Sequence, residues 1–294
     1  MEISVIIVAV ENDKKLLPRC LKALKLACHK AGLKTETIVV ANATSLSLPV
    51  NLKKGIKILN LSENGGLGTA VNSAMETVKN KWVLLLCPDV ELKDNSLKIL
   101  IKETADRIGI IAPRILINDQ IQETILPIPS LWQIFLEQSF LYRLFPSIFR
   151  LPFSDKLLYQ KKQKVSAAAA ICWLFQKKAY RLAGGFDERF FLYFEDVDLC
   201  RRIKRAGFEI IYQPAAAAFH FPHASTGGQT DGSLYVKSLK KILGKYHNQL
   251  YVILSLFIFA FGSLIRLILW SVLGNRKKIN FLTEAIRESL FISR

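Results

Sequence analysis

Five carboxylates crowd into twelve residues of this chain: Asp187, Glu188, Glu195, Asp196 and Asp198. With 24 Asp and Glu in 294 residues, a stretch of that length should hold about one, and the formal net charge of +17 sharpens the local reversal. Helical periodicity sets in near Asp196, keeps Asp198 in the first turn and stops at Gly207, so capping of a helix start accounts for one or two of the acids. The remainder need another cause. Phe190, Phe191, Tyr193 and Phe194 lie among them, and apolar walls of that kind raise a carboxyl group toward the range in which it works as a general base.

A second candidate follows the apolar run 82–86: Cys87-Pro88-Asp89-Val90-Glu91. In an extended segment the Asp-x-Glu spacing lets two carboxylates approach one divalent cation. The pattern is common, and a solvated loop explains it equally well. A third is the run Glu63-Asn64-Gly65-Gly66-Leu67-Gly68, which leads to Asn72. Glycines at a strand-to-helix connection let backbone N–H groups approach a phosphate or sugar closely, although a tight turn alone asks for the same residues. Finally, His220 and His223, followed by Ser225, place two of the chain's four histidines within four residues. That spacing fits a metal or diphosphate contact, or a surface loop.

Loops that bear ligands need a frame to hold them together. Residues 4–10 form a β-branched run that reads as a buried strand, and 16–27 repeat apolar residues at helical spacing. Further strands are predicted over 36–40, 56–61 and 82–86, with a helix over 69–78. Strands thus alternate with helices. The pattern predicts an α/β fold, its mostly parallel sheet covered by helices on both faces, and puts Asp89 at the carboxyl end of a central strand, where such sheets bind ligands.

The chain is 51% hydrophobic and 22% charged, which excludes general disorder. Its basic surplus predicts attraction to something anionic: nucleic acid, phospholipid headgroups or phosphorylated substrates. No motif that reads DNA or RNA is present, so nucleic acid is not expected as a partner. The five cysteines are scattered without paired spacing, which fits neither a disulfide framework nor a zinc site and points to a reducing compartment. The first residues lack a basic stretch followed by a long apolar run, so a secretory signal is not expected and the first domain is expected in the cytosol.

Residues 250–273 carry one formal charge, Arg266, and as a helix would reach roughly 36 Å, against a bilayer core of about 30 Å. Ser255, Gly262, Ser263, Arg266 and Ser271 gather on a narrow stripe, which suits a helix that lies in the membrane interface or packs on a partner. Lysines at 237, 240, 241 and 245 precede this segment and Arg276, Lys277 and Lys278 follow it, so the distribution of basic residues sets no orientation. Between residues 130 and 164 an aromatic, basic, proline-punctuated segment reads either as irregular core or as an interfacial surface.

Taken in order, these motifs resemble the inverting glycosyltransferases of family 2 with the GT-A fold, specifically the rhamnosyltransferase-like branch. The residues that carry the resemblance are SVIIV from Ser4, VVANAT from Val39, ENGGLGTAVN from Glu63, LLLCPDVEL from Leu84, GGFDERFFLYFEDVDLCRRIKRAGF from Gly184, and the stretch from His220 to Ser225. It covers about residues 3–230 and implies a GT-A domain over residues 1–235; the apolar run and its basic flanks add the expectation of a basic and hydrophobic membrane-associated helical region over 236–294. The resemblance implies Asp196 as catalytic base, with Glu195 beside it as an acceptor-orienting or alternative base. Asn42, Asn64, Gly65, Gly66, Gly68, Asn72 and Asp89 would shape the donor site, and Asp89, Glu91 and His220 would hold a divalent cation, Mg²⁺ or Mn²⁺. The implied reaction moves a sugar, with rhamnose as the candidate, from a nucleotide-diphosphate sugar to a lipid-linked or polysaccharide acceptor in cell-envelope glycan synthesis, at the cytoplasmic face of a membrane reached through residues 250–273. The chain departs from the family pattern at Ala9-Val10-Glu11, at Ala41, at Cys87 and in the alanine run 167–170. Those departures lie mainly on the donor side and leave open a second expectation, a membrane-anchored GT-A-like scaffold with weakened turnover.

Overall fold

The computed structural model describes residues 1–46, 48–139, 141–145, 156–222 and 231–290. The chain opens with β1 (Glu2–Ala9), α1 (Leu17–Ala31), β2 (Lys34–Asn42), a single turn α2 (Val50–Lys53), β3 (Ile56–Leu61), α3 (Gly66–Met75) and β4 (Trp82–Leu86). There follow β5 (Val90–Leu92), α4 (Ser96–Lys102), β6 (Ile108–Ile117), β7 (Gln120–Ile121), β8 (Ile125–Leu126), α5 (Leu131–Ser139) and α6 (Leu141–Leu144). The last third holds β9 (Gln163–Lys164), β10 (Ala167–Ala168), β11 (Cys172–Gln176), α7 (Lys177–Leu182), α8 (Glu195–Arg205), β12 (Glu209–His220), α9 (Gly232–Tyr246), α10 (Gln249–Val272) and α11 (Arg276–Leu290).

By their contacts these elements form two compact units. The first comprises Met1–Pro127, Lys156–Phe191 and Glu195–Gly228. Its main sheet runs β3-β2-β1-β4-β11-β6-β12-β5, with β7 added to β6 and β9 to β12. β1, β2, β3 and β4 pair in parallel, β11 runs antiparallel between β4 and β6, and β12 again lies parallel to β6. The carboxyl ends of β1 to β4, β6 and β12 therefore share one edge of the sheet. The core sits where both faces are covered. Ile3, Val5 and Ile7 of β1 and Leu84 and Leu86 of β4 pack with Leu17, Leu21 and Leu24 of α1. Their unbroken apolar runs are what a sheet buried on both faces requires.

The second unit comprises Ile128–Asp155, Leu192–Phe194 and Gln229–Arg294. The boundary expected at 235/236 falls inside α9, whose start is capped by the Asp231 side chain accepting from Leu234 N. Tyr235 is its aromatic centre, with Tyr193, Phe194, Phe259 and Phe281 all within 5.2–6.0 Å between ring centroids. That packing holds Tyr193 and Phe194 in consecutive left-handed conformations, φ 69° and 65°, which cost side-chain-bearing residues about 1–2 kcal/mol each. The small and polar stripe of α10 faces protein. Ser255 and Ser263 are fully buried, a Cβ on Gly262 would strike the Gln138 side chain of α5, and Arg266 donates to the Glu137 carbonyl. Of the aromatic segment after residue 130, α5 packs on α10 while Trp132 stays exposed and stacks on Phe135. Three of its aromatic residues, Phe140, Phe149 and Phe153, lie outside the described residues, as do His223 and Ser225.

Candidate active site

The carboxyl edge of the sheet in the first unit gathers the residues that can do chemistry. β4 ends at Leu86, and Cys87-Pro88 turn the chain so that Asp89 is buried beside the end of β12. There Asp89 Oδ2 lies 3.4 Å from His220 Nε2, and Phe221 N donates to the Asp89 carbonyl at 2.9 Å. The other imidazole nitrogen, Nδ1, meets the Gln122 side-chain oxygen at 2.8 Å. That contact orients the ring so that Nε2 is the nitrogen facing Asp89. A carboxylate oxygen and an imidazole nitrogen converge.

Glu91, expected as a further metal ligand, is held elsewhere. It pairs with Arg19 Nε of α1 at 2.6 Å, and the Arg19 guanidinium lies over the Phe221 ring, 4.6 Å from its centroid. An adjacent cation satisfies that carboxylate. Among the described residues no group of three His, Cys, Asp or Glu side chains is arranged to hold a metal, and the ligand pair available is Asp89 with His220.

The glycine turn after β3 is tight for reasons visible in its contacts. Gly66 has φ 82°, and a Cβ there would run into the Phe191 carbonyl, so only glycine permits the approach. A Cβ on Gly65 would crowd Thr69, and one on Gly68 would sit 3.0 Å from Phe186 Cβ. Asn64 Oδ1 accepts from Gly66 N at 3.1 Å and from Asn42 Nδ2, at the end of β2, at 2.7 Å. Asn42 Oδ1 is buried without a partner among the described residues. Asn72 takes a different part: its amide donates to the Phe186 carbonyl at 2.9 Å and to Glu188 at 2.7 Å, and it accepts from Phe186 N and the Tyr180 hydroxyl. It ties the loop 184–191 to α3.

The five acids separate in the same way. Asp187 pairs with Arg189, Glu188 accepts from Asn72, and the fully buried Asp198 pairs with Arg202 one turn later on α8. Arg202 also donates to the Ala183 and Gly185 carbonyls, which closes the loop onto the helix. Glu195 and Asp196 are left. Both sit at the start of α8, Glu195 buried and Asp196 half-buried, and Glu195 Oε2 has no partner among the described residues. Burial pushes both carboxyls above the usual carboxylate range, and the charge of Asp196 pushes Glu195 further. Hydrogen bonds from Val197 N at 2.7 Å and Ala170 N at 3.3 Å oppose the rise at Asp196.

Residues 170 and 171 join the two halves of the site. Ala170 gives its N–H to Asp196 and its carbonyl to Cys87 Sγ at 3.6 Å, while the Ile171 carbonyl accepts from Cys87 N at 2.9 Å. The strand end that leads to Asp89 and the helix start that bears Asp196 thus flank one short backbone segment. The sequence model of the family described as "Glycosyltransferase like family 2" matches residues 2–234. The chain belongs to that family. This glycosyltransferase is 28% identical over 232 residues, 72% of its length and 73% of the relative's, to an N-acetylglucosaminyl-diphospho-decaprenol L-rhamnosyltransferase of Mycobacterium tuberculosis. It is 27% identical over 175 residues, 54% of its length and 61% of the relative's, to the rhamnosyltransferase WbbL of Escherichia coli. Among solved structures, a mannosyltransferase of Pyrobaculum calidifontis in complex with GDP-Man and Mn²⁺ superposes with a TM-score of 0.60 at 12% identity, covering 99% of this chain and 88% of that one. S. aureus TarS, residues 1–349, superposes at 0.52 and 13% identity over 100% and 93%. The shared fold is GT-A, and the chain is a glycosyltransferase that draws on a nucleotide sugar.

Within this glycosyltransferase a divalent cation fits the Asp89–His220 pair. One carboxylate and one imidazole are a partial oxygen and nitrogen set, and Mg²⁺ or Mn²⁺ commonly fills the rest of its shell with substrate phosphate and water. Three participants escape sequence reasoning. Gln122, which orients His220, sits 98 residues before it, and Arg19, which holds Glu91, lies on a helix face that reads as solvated. The Ala170 N–H is backbone and leaves no mark on residue type.

Proposed function

We propose that the transferase moves rhamnose from a nucleoside diphosphate to a hydroxyl of a lipid-linked saccharide, with inversion, at the cytoplasmic face of a membrane in cell-envelope glycan synthesis. The observation that carries the reading is the pair of sites flanking Ala170–Ile171: Asp89 with His220 on one side, Asp196 with Glu195 on the other. The names of the two rhamnosyltransferase relatives support the sugar, and that of the decaprenol-dependent relative supports the acceptor.

Asn42 presents an unpartnered buried oxygen to the donor, and Gly65, Gly66 and Gly68 keep side chains out of the way of its diphosphate at the start of α3. Asp89 and His220 would hold the cation, which when bound neutralises charge on the diphosphate. Asp196, already raised by burial, takes the proton of the acceptor hydroxyl as that oxygen attacks the anomeric carbon. The new carbon–oxygen bond forms opposite the bond to the diphosphate, whose electron pair leaves with the nucleotide. Glu195, its Oε2 unengaged, orients the acceptor. A panel of nucleotide sugars, scored in detergent for transfer to a polyprenyl-diphosphate saccharide with and without Mn²⁺, tests this reading. Rhamnose transfer with inverted anomeric configuration is expected. Transfer of another sugar alone would overturn the donor, and retention of configuration would overturn the roles of Asp196 and Glu195.

A further inference from the structure

The second unit carries a surface that glycosyl transfer does not explain. α10 is 24 residues long with a mean hydropathy of 2.5 over its most apolar window, yet its two sides face different surroundings. Ser255, Phe259, Gly262, Ser263 and Arg266 lie on one side, against α5, α9 and α11. On the opposite side ten large apolar residues are exposed, among them Leu250, Phe257, Phe261, Ile268 and Val272. Their spacing of 3, 4, 7 and 11 keeps them on one stripe along the whole helix. Such a surface exceeds what a soluble chain leaves open without a partner.

We infer that α10 lies flat in an anionic membrane surface, its exposed stripe in the outer acyl layer, and does not cross the bilayer. Length alone permits a crossing, but the companions of α10 do not. Gly274, at φ 67°, turns the chain so that α11 packs back along α10. α11 brings Glu284, bonded to Gly232 N, and Glu288, paired with Lys237 and Lys240 of α9. A crossing α10 would take those charges into hydrocarbon or lose the packing that buries its own Ser255, Ser263 and Arg266. Lying flat requires neither. Charge favours the same occupant: residues 231–290 hold nine Lys and Arg against three Asp and Glu, and Arg276, Lys277 and Lys278 are exposed just beyond the helix end. Trp270, under the Lys278 ammonium at 3.5 Å, is the aromatic and basic pairing found at headgroup depth.

The inference rests on the membrane association proposed above, and two experiments test it on the full chain. In the first, Gln249→Cys and Lys277→Cys are combined, both positions being exposed and at opposite ends of α10. The variant is reconstituted into sealed vesicles with one quarter anionic lipid and treated with a membrane-impermeant maleimide mass tag, the wild-type chain giving the background from its five cysteines. A flat helix puts both positions on one side of the membrane, so each molecule takes two added tags or none, whatever its orientation. A crossing helix gives single tags throughout, which overturns the inference. In the second, Phe257→Asp with Phe261→Asp is floated with the same vesicles. At least tenfold weaker partitioning is expected, with transfer to a short-chain soluble acceptor retained. Unchanged partitioning overturns the inference, as does a wild-type dimer that this double variant dissolves while vesicle binding persists, which would assign the stripe to a second copy. Loss of transfer to the soluble acceptor in the wild-type chain would instead count against the proposed reaction.

Discussion

Replacing Asp196 by Asn separates the proposed base from the fold that holds it. The amide keeps the carboxylate outline, but of the two backbone N–H groups that meet Asp196, from Val197 and from Ala170, its oxygen faces only one. Setting the other against an NH₂ group costs about 1–3 kcal/mol. Against that stands the removal of a buried charge, since each pH unit by which burial lifts the carboxyl is ~1.4 kcal/mol held against the charged folded state. The two nearly offset, so Tm should stay within a few degrees of wild type. The folded state retains the Asp196 and Glu195 protons to higher pH than the unfolded chain, so wild-type stability falls as pH rises from the ordinary carboxylate range, about 4, through the raised values. The Asn variant should lose less over that window. Catalysis responds differently: a positioned base contributes about 10²–10⁴ in rate, or ~3–5.5 kcal/mol. The assay is kcat and kcat/KM from pH 5 to 9, with nucleoside diphosphate affinity measured by calorimetry. Wild type should show an acid limb lying above the usual carboxylate range. Asp196→Asn should lose at least a hundredfold in kcat and the limb with it, while nucleotide affinity holds. Glu195→Gln, which removes the neighbour and keeps the base, should retain the limb. An Asn variant within tenfold of wild type across the range, its acid limb in place, would refute the reasoning.

Two further outcomes are expected. Gln122→Leu should weaken the apparent Mn²⁺ affinity of transfer by about 10–100-fold by freeing the His220 ring, whereas Glu91→Gln, remote in function because Arg19 holds it, should change that affinity less than threefold, as a metal titration of initial rates would show. Gly66→Ala should destabilise by more than about 3 kcal/mol, since the left-handed penalty of ~1–2 kcal/mol adds to a clash with the Phe191 carbonyl; Gly32→Ala, at φ 62° with nothing within 4 Å, should show the backbone penalty alone in urea unfolding.

The strand over 82–86 stands in the structure at the predicted residues because a strand buried on both faces is written as an unbroken apolar run, and the strand over 56–61, half-buried at the sheet edge with Lys57 and Asn60 exposed, also keeps its predicted bounds. The helix predicted over 69–78 instead starts at Gly66, since glycine weakens a helix reading while its left-handed freedom is what lets the turn close. Position at a strand end was legible for Asp89, but the partners of charged groups were not. Arg19, Gln122, Arg202 and Asn72 act on residues far along the chain or one turn away, and nothing in an Asp-x-Glu spacing tells that one carboxylate will meet an arginine. Of the acidic cluster, sequence supplied the candidates, and the ion pairs of Asp187 and Asp198 sorted them. The polar stripe of α10 was visible as a pattern, whereas the α5 helix that covers it was hidden in an aromatic segment with two readings.

The place of β11 in the sheet bears on how the protein is made. Cys172 pairs with Leu86, so the open side of β4, the wholly buried WVLLL segment, waits for a partner 86 positions further along the chain. At ribosomal speeds of about 5–20 residues per second that wait is roughly 4–17 s. Throughout it a bare apolar strand edge is displayed to other nascent chains, the form of exposure that chaperones capture and that aggregates otherwise exploit. The amino-terminal half of the sheet is therefore not a separable nucleotide-binding module, and fragments that stop short of residue 172 inherit the sticky edge permanently.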